Sequence, residues 1–113
     1  MQENFTLIYH HLGIPTELKR SKERYSPRLK AYLSEFEESP YRIQWMRFER
    51  DSSLPTIVKT IPHVAFEVEN LAKAIEGKNV IVELHSPANG VLAAFIEDDG
   101  APVELLQIDS SAK

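Results

Sequence analysis

Four histidines, no cysteine and a scatter of acidic side chains are the chemically capable residues of this 113-residue chain. Two of the histidines open matching phrases. His11-Leu12-Gly13-Ile14 and His63-Val64-Ala65-Phe66 each run histidine, aliphatic, tiny residue, large apolar residue, and they stand about half a chain apart. Both phrases read as β-strand, where alternate side chains point to opposite faces. His11, Gly13 and Pro15 then share one face, and His63, Ala65 and Glu67 share another. The opposite side of the second strand, Val64, Phe66 and Val68, is apolar throughout and reads as core. Two further strand-like runs hold a polar residue in apolar surroundings: Gln44 in YRIQWMRF and Glu104 in PVELLQI. A polar group buried without a partner costs about 1–3 kcal/mol by mutational estimates, so each of these needs something to bind. Two imidazoles, an amide oxygen and a carboxylate make a workable nitrogen and oxygen set for a divalent metal ion. The lack of cysteine excludes thiolate ligands, cysteine nucleophiles and disulfides.

The elements that must position these residues are read from pattern. The chain has the length of one domain, with 42% hydrophobic and 27% charged residues, as in ordinary globular proteins. A net charge of −4 gives no footprint for nucleic acid or an anionic membrane. No apolar run is long enough to span a bilayer and no signal peptide is visible, so a cytoplasmic location is expected. The basic stretch from Lys19 to Arg24 reads as a solvated loop. Residues 62 to 68 form a strand, Glu69-Asn70 a helix cap, and LAKAIEG about two helical turns ending at Gly77. Strands at 79 to 85, 91 to 98 and 102 to 108 follow, with turns at 86 to 90 and at Asp99-Gly100. This half, residues 62 to 108, is β-α-β-β-β. The other half, about residues 5 to 50, has strands at 6 to 15 and 41 to 48. Between them Leu29, Tyr32, Leu33 and Phe36 have helical spacing after Ser26-Pro27, yet the short segment suits a strand hairpin over 29 to 48, which is the expectation adopted. That half then lacks its helix and one strand, with residues 16 to 28 irregular, and residues 51 to 61 link the halves.

The stretches HVAFEVENL and FIEDDGAPVELLQI resemble the final module of the vicinal oxygen chelate superfamily, and HHLGIP resembles the opening strand of its first module. That superfamily includes glyoxalase I, methylmalonyl-CoA epimerase, extradiol dioxygenases, and fosfomycin and bleomycin resistance proteins. The resemblance implies an α+β fold of paired βαβββ modules forming a half-open, barrel-like sheet, with the first module shortened. It further implies a divalent ion (Zn, Ni, Co, Mn or Fe) held by His11, Gln44, His63 and Glu104, the ligand set of the epimerase and glyoxalase branch. The activity implied is a lyase, isomerase or epimerase reaction on a small organic acid or thioester. Glu67, two positions beyond Ala65 on the same face, is the candidate base. Gly13, Ala65, Met46 and Phe48 are the candidate substrate pocket. Two alternatives stand beside this: a non-catalytic small-molecule binding module, and an iron dioxygenase using His11, His63 and Glu104, against which Gln44 argues by filling a position that oxygen needs. His10 and His85 read as ordinary structural or surface residues. A sheet edge left by the missing strand would pair with a second copy, so a homodimer is expected.

Overall fold

The two histidine phrases lie side by side at the centre of a single sheet. The computed structural model describes residues 6–109. Its strands are β1 (Ile8–Pro15), β2 (Arg24–Ser26), β3 (Ala31–Leu33), β4 (Ile43–Phe48), β5 (His63–Glu67), β6 (Asn79–Ala88), β7 (Val91–Asp98) and β8 (Ala101–Ile108). Two short helices, α1 (Thr56–Thr60) and α2 (Leu71–Ala74), interrupt them. The eight strands form one mixed sheet in the order β2-β3-β4-β1-β5-β8-β7-β6, which curls into a half-barrel. Each half therefore runs inward in the same order, and the halves meet where β1 pairs antiparallel with β5. The outer neighbours of this central pair, β4 and β8, are both parallel to their partners.

The second half follows its pattern closely. Val68, Leu71, Ala74, Ala94, Ile96 and Leu105 close a buried core between α2 and the sheet, with Phe66 and Val103 packed against it. Asn70 caps the helix by accepting a 3.1 Å hydrogen bond from the Lys73 amide. Gln107 reaches across from β8 to accept one of 2.8 Å from the Leu71 amide. The helix spans only Leu71–Ala74 and continues to Gly77 as a turn, shorter than the expected two turns. Strand β6 also runs further than expected, so the turn into β7 is only Asn89-Gly90.

The first half and the linker after it depart from expectation in two places. The hairpin expectation holds, because Ala31 and Leu33 point into a core with Met46 while Tyr32 lies against Arg47 on the other face, a period of two rather than of a helix. No strand is missing, however. Arg24–Ser26, inside the segment expected to be irregular, pairs with β3, and Ser26 accepts from the Leu29 amide in the connecting turn. The sheet edge on that side is therefore β2 rather than a gap left by a missing strand. The linker is not plain either: it forms α1, whose Val58 is fully buried. The basic stretch is largely exposed, as expected, with Lys19, Ser21, Lys22 and Arg24 at the surface, while Arg20 stacks 4.2 Å from the Trp45 ring centroid and Glu23 pairs with Arg47 at 2.7 Å. Among the described residues no helix is long and apolar enough to cross a membrane.

Leu71 is wholly buried where α2 meets the sheet. Leu71→Ala is expected to destabilise the fold by about 2–5 kcal/mol, through lost burial plus the cavity left behind. Urea unfolding followed by circular dichroism measures this.

Candidate metal centre

The antiparallel pairing of β1 with β5 sets each histidine phrase against the other. His11 stands opposite Ala65, and Gly13 stands opposite His63. The parallel neighbours extend both rows: Gln44 of β4 is level with Gly13, and Glu104 of β8 is level with Ala65. Paired residues share a face, so four ligand-type side chains from four adjacent strands project to one side around two tiny residues. All four are buried, His63 at 1% exposure.

Three of them converge. Glu104 Oε1 lies 3.2 Å from His63 Nε2 and 3.3 Å from His11 Nε2, and one donor atom from each residue falls within 4.8 Å of the others. A metal ion about 2.0–2.2 Å from each donor would set donor-to-donor edges of roughly 3.0–3.5 Å, and both contacts to the carboxylate match. The His63 contact is a hydrogen bond; the His11 contact is too poorly aligned to be one, which leaves His11 Nε2 buried without a hydrogen-bond partner. An orphaned imidazole nitrogen aimed at a carboxylate is what a bound cation would satisfy. His63 Nδ1 is also buried and unpartnered. Gln44 donates its Nε2 to the Ser34 carbonyl at 3.2 Å, so its Oε1 is the atom left to offer a ligand.

A β-bulge supports the centre. The β1/β5 register slips between Tyr9 and His11, which makes His10 an extra residue and turns it to the same side as His11 instead of the opposite side that alternation requires. The two rings then meet Nδ1 to Nδ1 at 2.8 Å. One nitrogen must donate and the other accept, and a His11 that offers its Nε2 lone pair to a metal donates from Nδ1. Phe36 covers both rings, stacked on His11 at 5.0 Å and edge-on to His10 at 4.9 Å. Arg42 lies over the far face of Phe36 at 4.7 Å and donates to the His10 carbonyl. Burial, together with the charges of His11 and Arg42, lowers the His10 pKa and favours the neutral acceptor form. For Glu104, burial pushes the pKa up, but the close imidazoles of His11 and His63 outweigh it and hold the carboxyl at about 2.

A cavity of about 400 Å³ opens beside the cluster. His11, Gln44 and Glu104 lie on its polar side, which also includes Arg24, Arg28 and Glu35, and Leu33, Met46, Phe95 and Leu106 form its apolar wall. Of the expected pocket residues only Met46 lines it. Gly13 makes room for a ligand residue rather than for a substrate, since a Cβ there would lie 2.1 Å from His63 Cε1. Ala65 is fully buried among Ala93 and Leu106. Phe48 packs against the Ala31, Leu33 and Met46 core. Glu67 is level with Ile8 and Leu106 and lines a separate cavity with Asn70 and Lys73, away from the cluster. Conversely, His10 and His85, read from sequence as ordinary, both line the cavity. Neither had a signal in the sequence, because both are placed by bulges. No family model matches this chain, and no curated protein matches it.

Gly13→Ala is expected to displace the His63 ring and to lower metal affinity at least tenfold while the sheet still forms, as read by metal titration beside circular dichroism. A second expectation concerns acid. Because the folded Glu104 carboxyl titrates near 2 against a reference of 4.5, its stabilisation is complete above about pH 4.5 and is lost as pH falls toward 2. Urea midpoints of metal-free protein should fall across that window, and Glu104→Gln should remove this part of the fall.

Proposed function

We propose that the chain binds a divalent metal ion through His11, His63 and Glu104, with Gln44 Oε1 as a fourth donor, and acts as a glyoxalase-like lyase or isomerase on a small organic acid or thioester. The observation that carries this reading is the convergence of two buried imidazoles on one carboxylate oxygen, with an imidazole nitrogen left unpartnered. A bound divalent ion supplies a Lewis acid that polarises a ligand carbonyl. The protein's own residues do the rest. His10 holds the His11 ring through Nδ1, Ser34 fixes the Gln44 amide so that its oxygen is free, and the apolar wall of Leu33, Met46 and Leu106 takes the carbon skeleton and limits water. The resemblance in HVAFEVENL and PVELLQI supports the same chemistry, as does the repeated strand order of the two halves.

A second reading, a binding module that holds its ligand without turning it over, draws on the placement of Glu67 outside this cavity. Dioxygenase chemistry is less well supported, since Gln44 sits level with Gly13 and His63 on the cluster's own face. Elemental analysis of untagged protein decides the first point. Near-stoichiometric zinc, nickel, cobalt, manganese or iron is expected in the parent, and none in the His11→Ala, His63→Ala double variant. A folded parent that takes up none of these ions on soaking refutes the metal site.

A further inference from the structure

We propose that His85 is the proton-transfer base of this cavity, an inference that rests on the metal-site reading above. Strands β6 and β7 fall out of step at three places, and the second of these slips lies just before His85. Val82 is opposite Phe95 and His85 is opposite Ala93, so three steps along β6 match two along β7. Regular pairing would put Leu84 opposite Ala93. The bulge instead leaves Leu84 exposed at 42% and turns half-buried His85 onto the cavity wall.

The position suits a group facing the cluster across a bound ligand. His85 shares a row with Ala93 of β7 and Leu106 of β8, and Leu106 is two residues from Glu104 on the same face. Two strand spacings of about 4.8 Å and one side-chain repeat of about 6.7 Å separate the His85 and Glu104 backbones by on the order of 12 Å along the sheet. Both side chains line the same cavity of about 400 Å³, the space a small ligand would occupy.

The ring's chemistry is set as well. His85 Nδ1 lies 2.8 Å from the Glu83 carbonyl oxygen, which can only accept, so Nδ1 carries the proton. The neutral ring then presents an Nε2 lone pair. The other three histidines have none to spare, with His11 and His63 directed at Glu104 and His10 engaged with His11. Of the cavity's carboxylates, Glu35 is paired with Arg24, Glu37 is exposed on a turn, and Glu104 belongs to the cluster. In the step assigned to His85, Nε2 takes a proton from the carbon beside a ligand carbonyl. The C–H electron pair enters the adjacent carbon–carbon bond, the carbonyl oxygen takes up the charge, and the proton is later returned to carbon. Nothing is oxidised or reduced, and no co-reactant is needed.

The test uses metal-loaded protein in deuterium oxide with 4-methyl-2-oxopentanoate, a 2-oxo acid with an apolar branch, and follows loss of its C3 proton signal by NMR. The parent is expected to exchange these protons faster than free metal ion does. His85→Gln should slow the exchange by about 100-fold or more, the usual contribution of a positioned base, with metal content and oxo-acid affinity unchanged. Equal exchange by His85→Gln and parent overturns the proposal, and so does a metal-loaded parent no faster than free ion. A separate readout needs no turnover: nitrogen-15 NMR of the metal-free protein should show neutral His85 protonated at Nδ1, and the opposite tautomer overturns the assignment. A parent that takes up no metal fails the underlying metal-site reading itself, a result seen before any exchange is measured, and the inference falls with it.

Discussion

The His63 ring fills the volume that a side chain at position 13 would need, and the centre depends on that contact. It explains why the two histidine phrases carry a tiny residue two places on. Run antiparallel, each phrase sets its histidine opposite the tiny residue of the other. A larger residue at either place would push an imidazole out of the row. The same pairing fixes the register of β1 on β5, and a slip of one residue would send His11 to the far face. Once the central pair is set, its parallel neighbours have little freedom. Strands β4 and β8 deliver Gln44 and Glu104 into the same two rows, level with Gly13 and Ala65.

Regular alternation brings four residues to the centre, and irregularity brings two more. A bulge in β1 turns His10 beside His11, and a bulge in β6 turns His85 into the cavity. An added residue costs a sheet some pairing; the slip in β1 lies beside the buried polar cluster, and one of the three slips in β6 lies just before His85 on the cavity wall. The cluster also explains the stack of Arg42 on Phe36 on His11. Phe36 shields the rings from water, and Arg42 ties the Phe36 turn back to the His10 carbonyl. Arg42 holds a positive φ of 57°, an uncommon conformation for a residue with a side chain, sustained by these contacts.

Much of the second half was legible in the sequence because each of its signals is local. Asn70 caps, Asp99-Gly100 turns, and the alternation of Val64, Phe66 and Val68 against His63 and Ala65 separates core from cavity. The first half was harder to read because its segment 29 to 36 supports two periods. Leu29, Tyr32, Leu33 and Phe36 fit a helix, but Ala31 and Leu33 meet Met46 only in a strand, and Phe36 is needed over the histidines. Those partners are distant in sequence, and burial against them overrides local spacing. The same limit applies to Gly13, which reads as open space until the strand that fills it is in place. Bulges are less visible still, since one inserted residue leaves composition unchanged while it reverses every face beyond it. His10 and His85 both trace to side-chain direction at slips in register, which alternation alone cannot supply.

Charge decides what the proposed centre would accept. Its donors are two imidazoles, one amide and a single carboxylate that stays ionised down to about pH 2. Imidazoles bind metals in the neutral form, so a divalent ion held by this set would keep a net charge of about +1. In a partly buried cavity that excess is poorly screened, and it favours an anionic ligand or the growth of negative charge on a neutral one. A carboxylate at position 44 would cancel it. The amide there also has its nitrogen committed to the Ser34 carbonyl, so oxygen rather than nitrogen is left to offer. Arg24 and Arg28 line the same cavity, with Glu35 and Glu37, and an added excess of positive charge at the proposed centre would suit a small organic acid better than a cation. In the proposed centre, glutamine rather than glutamate at position 44 would therefore bear on ligand selection, as the histidines would on holding the ion.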